Sequence, residues 1–293
     1  MTNDSMKPRG VIAMTDHLNV NRQIDFIRQL DNMGYDSFWI PELFGREIMA
    51  NASRLVAKTE RIRIATGIAN VYIRDAHATV QARHTIAEFA NGRFILGLGV
   101  SNVGLNTARG HQWQAPAQKL NAYLDMMEKA EPDMPAVETL GPMVIAAHGP
   151  MLQRIAATRS DGVMTYLMSA EHTATSRKRV GPDVELNVVV PVLGETDQTK
   201  ARSVCRSALS YYTTLDYYRR EWREHGFDDS DFADNGSDRL LDHLVAHGTP
   251  EALEARIHAH ELAGASRIIL LPLDAHDGDA TASSSLSAMA PIS

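Results

Sequence analysis

RIRIATGIANVY, residues 61–72, alternates β-branched or apolar residues with small ones and reads as a buried strand ending in Gly67-Ile68-Ala69-Asn70. A glycine at a strand end can permit a backbone conformation other residues resist, or let a ligand lie against the main chain. Equally, it can relieve crowding inside a barrel. Working outward, similar apolar runs lie on both sides: Gly10–Met14 and Ser37–Ile40 before it, then Arg93–Val100, Met143–Ala147, Asp161–Leu167, Val184–Val192 and Ser266–Leu273 after it. Stretches of helical periodicity separate them, over Val20–Met33, Ile48–Lys58, Asp75–Ala90, Pro116–Ala130 and Pro150–Thr158, with a polar helix through Arg177-Lys178-Arg179. Thr196–Glu224 reads as one long helix, followed by shorter ones near Leu240–His247 and Pro250–Ala263.

Buried runs that alternate with helices need long crossovers and a sheet covered on both faces, so the sheet is parallel. Eight such units predict an α/β fold, a single (β/α)8 TIM barrel with extra helices between strands seven and eight. The barrel domain is expected over residues 1–275, with a flexible tail over 276–293 that is rich in Ala, Ser and Gly.

Composition narrows the class. The 293 residues carry a net charge of -7, which argues against non-specific nucleic-acid binding because phosphate neutralisation needs a basic surface. The single cysteine, Cys205, reads as a small residue within a helix. The N-terminal MTNDSMKPRG lacks the apolar run of a signal peptide, and no window has the length of a bilayer span, so a cytoplasmic protein without membrane partners is expected. No metal is expected.

In a barrel of this kind the site lies at the carboxyl ends of the strands. Those ends carry Met14, Asp16 and His17, then Glu42, then Gly67, Ile68 and Asn70, then Ser101, then His148 and Gly149. In Ala146-Ala147-His148-Gly149-Pro150 a strand passes through glycine into a helix beginning with proline. Free N–H groups and the positive end of the helix dipole suit a phosphate there, although an ordinary tight turn has the same pattern. Gly97 and Gly99 form a short G-x-G without the spacing of a dinucleotide fingerprint, which points to tight packing or close approach of a ring. Tyr211, Tyr212, Tyr217, Tyr218 and Trp222 read as packing or a subunit contact, and Arg177-Lys178-Arg179 as a solvated face.

Together GYDSFWIPE, RIRIATGIANVYIRD, NGRFILGLGVS, VIAAHGPMLQRIAATRSDGV and the late GSDRLLDHLVAHGTPEALEARIHAH resemble the bacterial luciferase-like superfamily. Within it they are most similar to oxidoreductases that use the deazaflavin coenzyme F420. The resemblance runs from about Gly10 to Leu273. It implies a cofactor at the barrel mouth, F420 or alternatively FMN, a small-molecule substrate and a homodimer. It also implies a cis peptide at Gly67–Ile68, forming a bulge that presses against the ring, and a phosphate in the loop after the fifth strand.

The cofactor-binding set implied is Thr66, Gly67, Ile68, Asn70, Gly99, Ser101, Ala147, His148, Gly149 and Thr165, with Glu42 and His17 as catalytic candidates. Several deazaflavin dehydrogenases of this type carry an Asp-His pair where this chain has Glu42-Leu43, so the histidine is missing. Glu42 would then either exchange a proton or hold a neighbouring arginine. Three functions follow: F420-dependent hydride transfer to a small organic substrate, FMN-dependent monooxygenation of the luciferase or alkanesulfonate type, or a non-catalytic flavin-binding barrel.

Overall fold

The computed structural model describes residues 7–275 and 277–292. Residues 1–6 of the expected domain, and His276 and Ser293 of the expected tail, lie outside the described residues. Eight parallel strands follow in chain order: Arg9–Ile12, Ser37–Ile40, Arg63–Thr66, Phe94–Gly99, Met143–Ala146, Gly162–Tyr166, Glu185–Leu193 and Arg267–Pro272. The last pairs with both the first and the seventh, which closes the barrel. Two-residue strands at Ala69–Asn70 and Ala246–His247 extend the pairing of the fourth and seventh strands.

One residue from each strand fills the barrel interior: Ile12, Trp39, Ala65, Ile95, Val144, Met164, Val189 and Ile269. The alternation of side chains along a strand sends their neighbours outward, where Val11, Phe38, Ile64, Leu96, Ile145, Val188 and Ile268 join the helix-facing core. Strand and helix layers are thus two separate apolar contacts made by one run of residues, which is why the strands read as continuous apolar runs. The interior is crowded at Trp39. A Cβ on Gly10 would lie 2.5 Å from Ser37 Oγ and 3.0 Å from Trp39 Nε1, so the first strand carries glycine there.

The helices Val20–Asn32, Ile48–Ala57, Ala76–Ala90, Pro116–Glu128 and Pro150–Arg159 agree with the periodicity. Asn19, Glu47 and Asp75 cap the first three by accepting a backbone N–H from within the first turn. Among the described residues no helix is long and apolar enough to cross a membrane.

Two expectations fail. The predicted helix over 196–224 is broken into Gln198–Leu209, a 3-10 turn Tyr212–Thr214 and Asp216–Arg223, with Leu215 extended between the last two. Thr213 is buried and Leu215 nearly so, and the break lets both turn into the core beneath these helices. The residues after the eighth strand also fail to behave as a loose tail. Ser284–Ala288 is helical, and Ala280, Leu286 and Met289 are buried. Asp274 accepts from Ser283 Oγ, Ser284 Oγ and the N–H of Ser285, while Tyr35 donates to the carbonyl of Leu286. Small Ala and Ser residues resemble a disordered composition, yet here they allow close packing around a few apolar anchors.

Candidate active site

A cavity of about 1080 Å³ opens at the carboxyl ends of the strands. Ile12, Met164, Val189 and Leu271 form its apolar base, Gly67 and Ile68 one part of its wall, and His148 to Leu152 another. The Gly67–Ile68 peptide bond is cis. Ser101, in the left-handed region at φ 58°, and Asn102 border it as well.

Of the residues expected to bind a cofactor, Gly67, Ile68, Ser101, His148 and Gly149 line this cavity. The others support it or lie elsewhere. Thr66 is buried, and its hydroxyl both donates to the carbonyl of Gly97 (2.7 Å) and accepts its N–H (2.8 Å), tying the third strand to the fourth. Asn70 is buried beneath the wall, its amide donating to Asn106 Oδ1 at 2.8 Å. Gly99 makes room for the neighbouring wall, since a Cβ there would come within 3.0 Å of the Ile68 side chain and 3.2 Å of Ala146. Ala147 is buried and donates its N–H to Met164. Thr165 alternates with the inward Met164 and Tyr166, so its side chain faces away from the cavity, where its hydroxyl is buried without a hydrogen-bond partner.

The two catalytic candidates separate. Glu42 is a buried wall residue whose carboxylate accepts the N–H of Asn70 at 2.7 Å and both terminal nitrogens of Arg74, one of them at 3.0 Å. This is a bidentate arginine pair, the arrangement expected of a residue that holds a neighbouring arginine. His17 is exposed in the turn after the first strand and is not part of the cavity wall; the preceding Asp16 faces Arg46 instead.

The broken helix supplies wall residues that its sequence did not announce. Tyr212, Tyr217 and Tyr218 border the cavity, and Tyr212 and Tyr218 meet Tyr166 from the end of the sixth strand. Tyr166 donates to the Tyr212 hydroxyl at 3.2 Å. Burial pushes both phenols up from their ordinary range, so each keeps its proton at neutral pH. The signal that could have found them is the Tyr-Tyr-Thr-Thr stretch at 211–214, where β-branched threonines weaken a helix. Arg177 also departs from expectation: it is no solvated residue but donates to the carbonyls of Gly264 and Val184 and to Ser266 Oγ.

At the fifth strand, Gly149 precedes the helix Pro150–Arg159, whose start has no side-chain cap. His148 lies against Tyr217 and Tyr218, and its Nδ1 is buried without a hydrogen-bond partner. Burial, reinforced by nearby His172, pushes His148 down to about 3, so the ring is neutral and can offer only a polar contact to an anion. His172 and His260 are likewise held at about 4 by burial. Their folded values lie below the ordinary 6.5, so between pH 6.5 and about 4 the unfolded chain binds more protons than the folded one. Stability is expected to be full above that window and to fall as pH drops through it, by up to about 1.4 kcal/mol per pH unit for each histidine. Urea unfolding at pH 7, 6 and 5 checks this; a flat profile would show that neither histidine is buried neutral.

A (β/α)8 barrel with a large, mostly apolar cavity at the carboxyl ends of its strands has the architecture of an enzyme whose active site lies in that cavity. The luciferase-like monooxygenase family model matches residues 6–267, and the chain belongs to that family. Among curated relatives, the 5,10-methylenetetrahydromethanopterin reductase of Methanolobus tindarius is 23% identical, covering 83% of this chain and 88% of its own. The same-named reductase of Archaeoglobus fulgidus is 21% identical over 83% and 87%. Solved structures share the fold: an F420-dependent secondary alcohol dehydrogenase has a TM-score of 0.73 at 14% identity, covering 91% of this chain and 93% of that one. An FMN-bound Baeyer-Villiger monooxygenase component from Pseudomonas putida has a TM-score of 0.68 at 16% identity, covering 98% and 97%.

Proposed function

We propose that this enzyme transfers a hydride between coenzyme F420 and a small organic substrate. The observation that carries the reading is the uncapped helix start at Gly149–Pro150, open to the same cavity as the Gly67–Ile68 wall. A tricyclic ring system with a phosphate on its side chain needs both features, and the cavity is at the upper end of the usual size for ligand pockets. The choice of F420 is supported by a relative from Mycobacterium tuberculosis called a putative coenzyme F420-dependent oxidoreductase, 24% identical over 40% of this chain and 34% of its own, and by the fold shared with the F420-dependent secondary alcohol dehydrogenase.

In this reading Gly67 and Ile68 would support the ring, while the free N–H groups of Met151 and Leu152, following Pro150 in the first turn of the helix, would hold the phosphate. When bound, the deazaflavin supplies or accepts a hydride as a two-electron unit. The chain's own contribution is a mostly apolar cavity and the phenolic proton of Tyr212, whose hydroxyl accepts from Tyr166 and so has its own proton to donate to a substrate oxygen. Glu42 acts indirectly, holding Arg74 and the backbone at Asn70 that follows the bulge. The homodimer, which rests on the family resemblance, and the cytoplasmic location, which rests on the missing signal-peptide and bilayer-span patterns, belong to the same proposal.

The test is a titration of the apo-protein with oxidised F420 and, separately, with FMN, followed by cofactor fluorescence. Tighter binding of F420 is the expected result. Preference for FMN would move the assignment to a monooxygenase, and binding of neither would sink both cofactors.

A further inference from the structure

Glu221 projects from the helix Asp216–Arg223 against the turn at Gly149. A Cβ on Gly149 would lie 3.1 Å from Glu221 Oε1, so the carboxylate stands beside the helix start itself. It is 6% exposed, lines the cavity, and makes no hydrogen bond among the described residues. Its ionic neighbours are His172 Nε2 and Arg220 Nε, each at 3.8 Å. Burial holds the acid above its ordinary range, with Arg220 and Arg179 opposing part of that rise. A buried carboxylate with only a long ion pair to Arg220, at a place suited to anions, is a feature the hydride-transfer reading does not use.

The local charges leave no positive excess. Arg179 and Arg220 border the cavity, and so do Asp216, Glu221 and Glu224, while Glu42 is held by Arg74. His225 also faces Glu221, and the nearest rings, His148 and His172, are neutral near pH 7 because burial holds them at about 3 and about 4. Two arginines thus face three carboxylates. What remains to attract an anion is the helix start, equivalent to roughly half a positive charge. That suits one negative charge better than two.

We infer that the Glu221 carboxylate selects the charge of the bound phosphate, admitting a singly charged phosphodiester and rejecting a doubly charged phosphomonoester. The inference rests on the reading of the Gly149–Pro150 helix start as the cofactor's phosphate site. F420 carries its phosphate as a diester, with one charge. FMN carries a monoester whose second ionisation is near pH 6, so at pH 7.5 it is largely a dianion. Glu221 therefore makes the two cofactors unequal at an atom far from the reacting ring.

The measurement compares FMN with riboflavin, which lacks the phosphate, by fluorescence titration of wild type, Glu221→Gln and Glu221→Asp at pH 7.5, with oxidised F420 titrated in parallel. Removing the charge is expected to strengthen FMN relative to riboflavin by about tenfold or more, since a like charge within a few ångströms in a partly buried site is worth at least that. Glu221→Asp keeps the charge and is expected to keep the wild-type ratio, and F420 affinity should change less than FMN affinity in Glu221→Gln. Unchanged riboflavin binding shows that the variant is folded. If Glu221→Gln leaves the FMN-to-riboflavin ratio unchanged while F420 still binds, the charge filter is wrong and the hydride-transfer proposal stands. A wild-type protein that already gains tenfold or more from the FMN phosphate also overturns it. Failure of F420 to bind any of the three proteins would instead count against the proposed function, and the FMN-to-riboflavin ratio would still report on Glu221.

Discussion

Arg74→Met is expected to lower the stability of the folded enzyme by about 3–5 kcal/mol, the usual cost of removing one partner from a buried ion pair. Arg74 is 10% exposed at its side chain and Glu42 3%, so solvent cannot take over the abandoned charge. Glu42 would keep only the N–H of Asn70 and would be left as a buried carboxylate without a counter-ion. Glu47, which also pairs with Arg74, is half exposed and can turn to water, so the penalty falls on Glu42. Glu42→Gln should cost less, because the amide oxygen can still accept from Asn70 and Arg74. Combining the two substitutions should recover part of the loss, a coupling that appears as non-additivity in a double-mutant cycle. Urea denaturation of the four proteins measures it. An Arg74→Met protein within about 1 kcal/mol of wild type would show that the pair is not buried as described.

The second large effect is expected at Gly97, where the third and fourth strands are pressed together. A Cβ there would sit 1.9 Å from the carbonyl oxygen of Thr66, a distance no side-chain rotation can relieve because both groups are backbone. The strands cannot part without losing the two Thr66 hydroxyl bonds to Gly97. Gly97→Ala should therefore cost about 3 kcal/mol, the top of the usual range for overpacking. The added methyl would also come within 3.4 Å of Ile68 Cγ2, so flavin or deazaflavin binding should weaken in whatever fraction remains folded. Thermal unfolding and a cofactor titration of the variant test both parts; a wild-type melting curve would remove the packing account of this glycine.

How much of this was readable in advance differs between the frame and the site. The strand over Arg63–Thr66 and its seven companions were evident because burial on both faces leaves a local apolar run, and each helix between them carries its own period. Gly149 before Pro150 was readable for a similar reason, since a helix start is a local event. The cis bond at Gly67–Ile68 was expected only through resemblance, because no pattern of neighbours specifies it.

What the chain by itself determined, then, was the barrel, its order of strands and the residues at their carboxyl ends. Tertiary structure decided what those residues do. Glu42 holds Arg74 only because Arg74 reaches it from beyond the third strand, and Thr66 ties two strands together only because Gly97 lies alongside it. Tyr212, Tyr217 and Glu221 joined the cavity because the long predicted helix bends to bury Thr213 and Leu215, a choice made by the packing beneath it. Periodicity records how each segment is buried, but the partner of a charge or hydroxyl depends on register across the closed sheet and on how loops cross its mouth. Neither is written in any short stretch of chain.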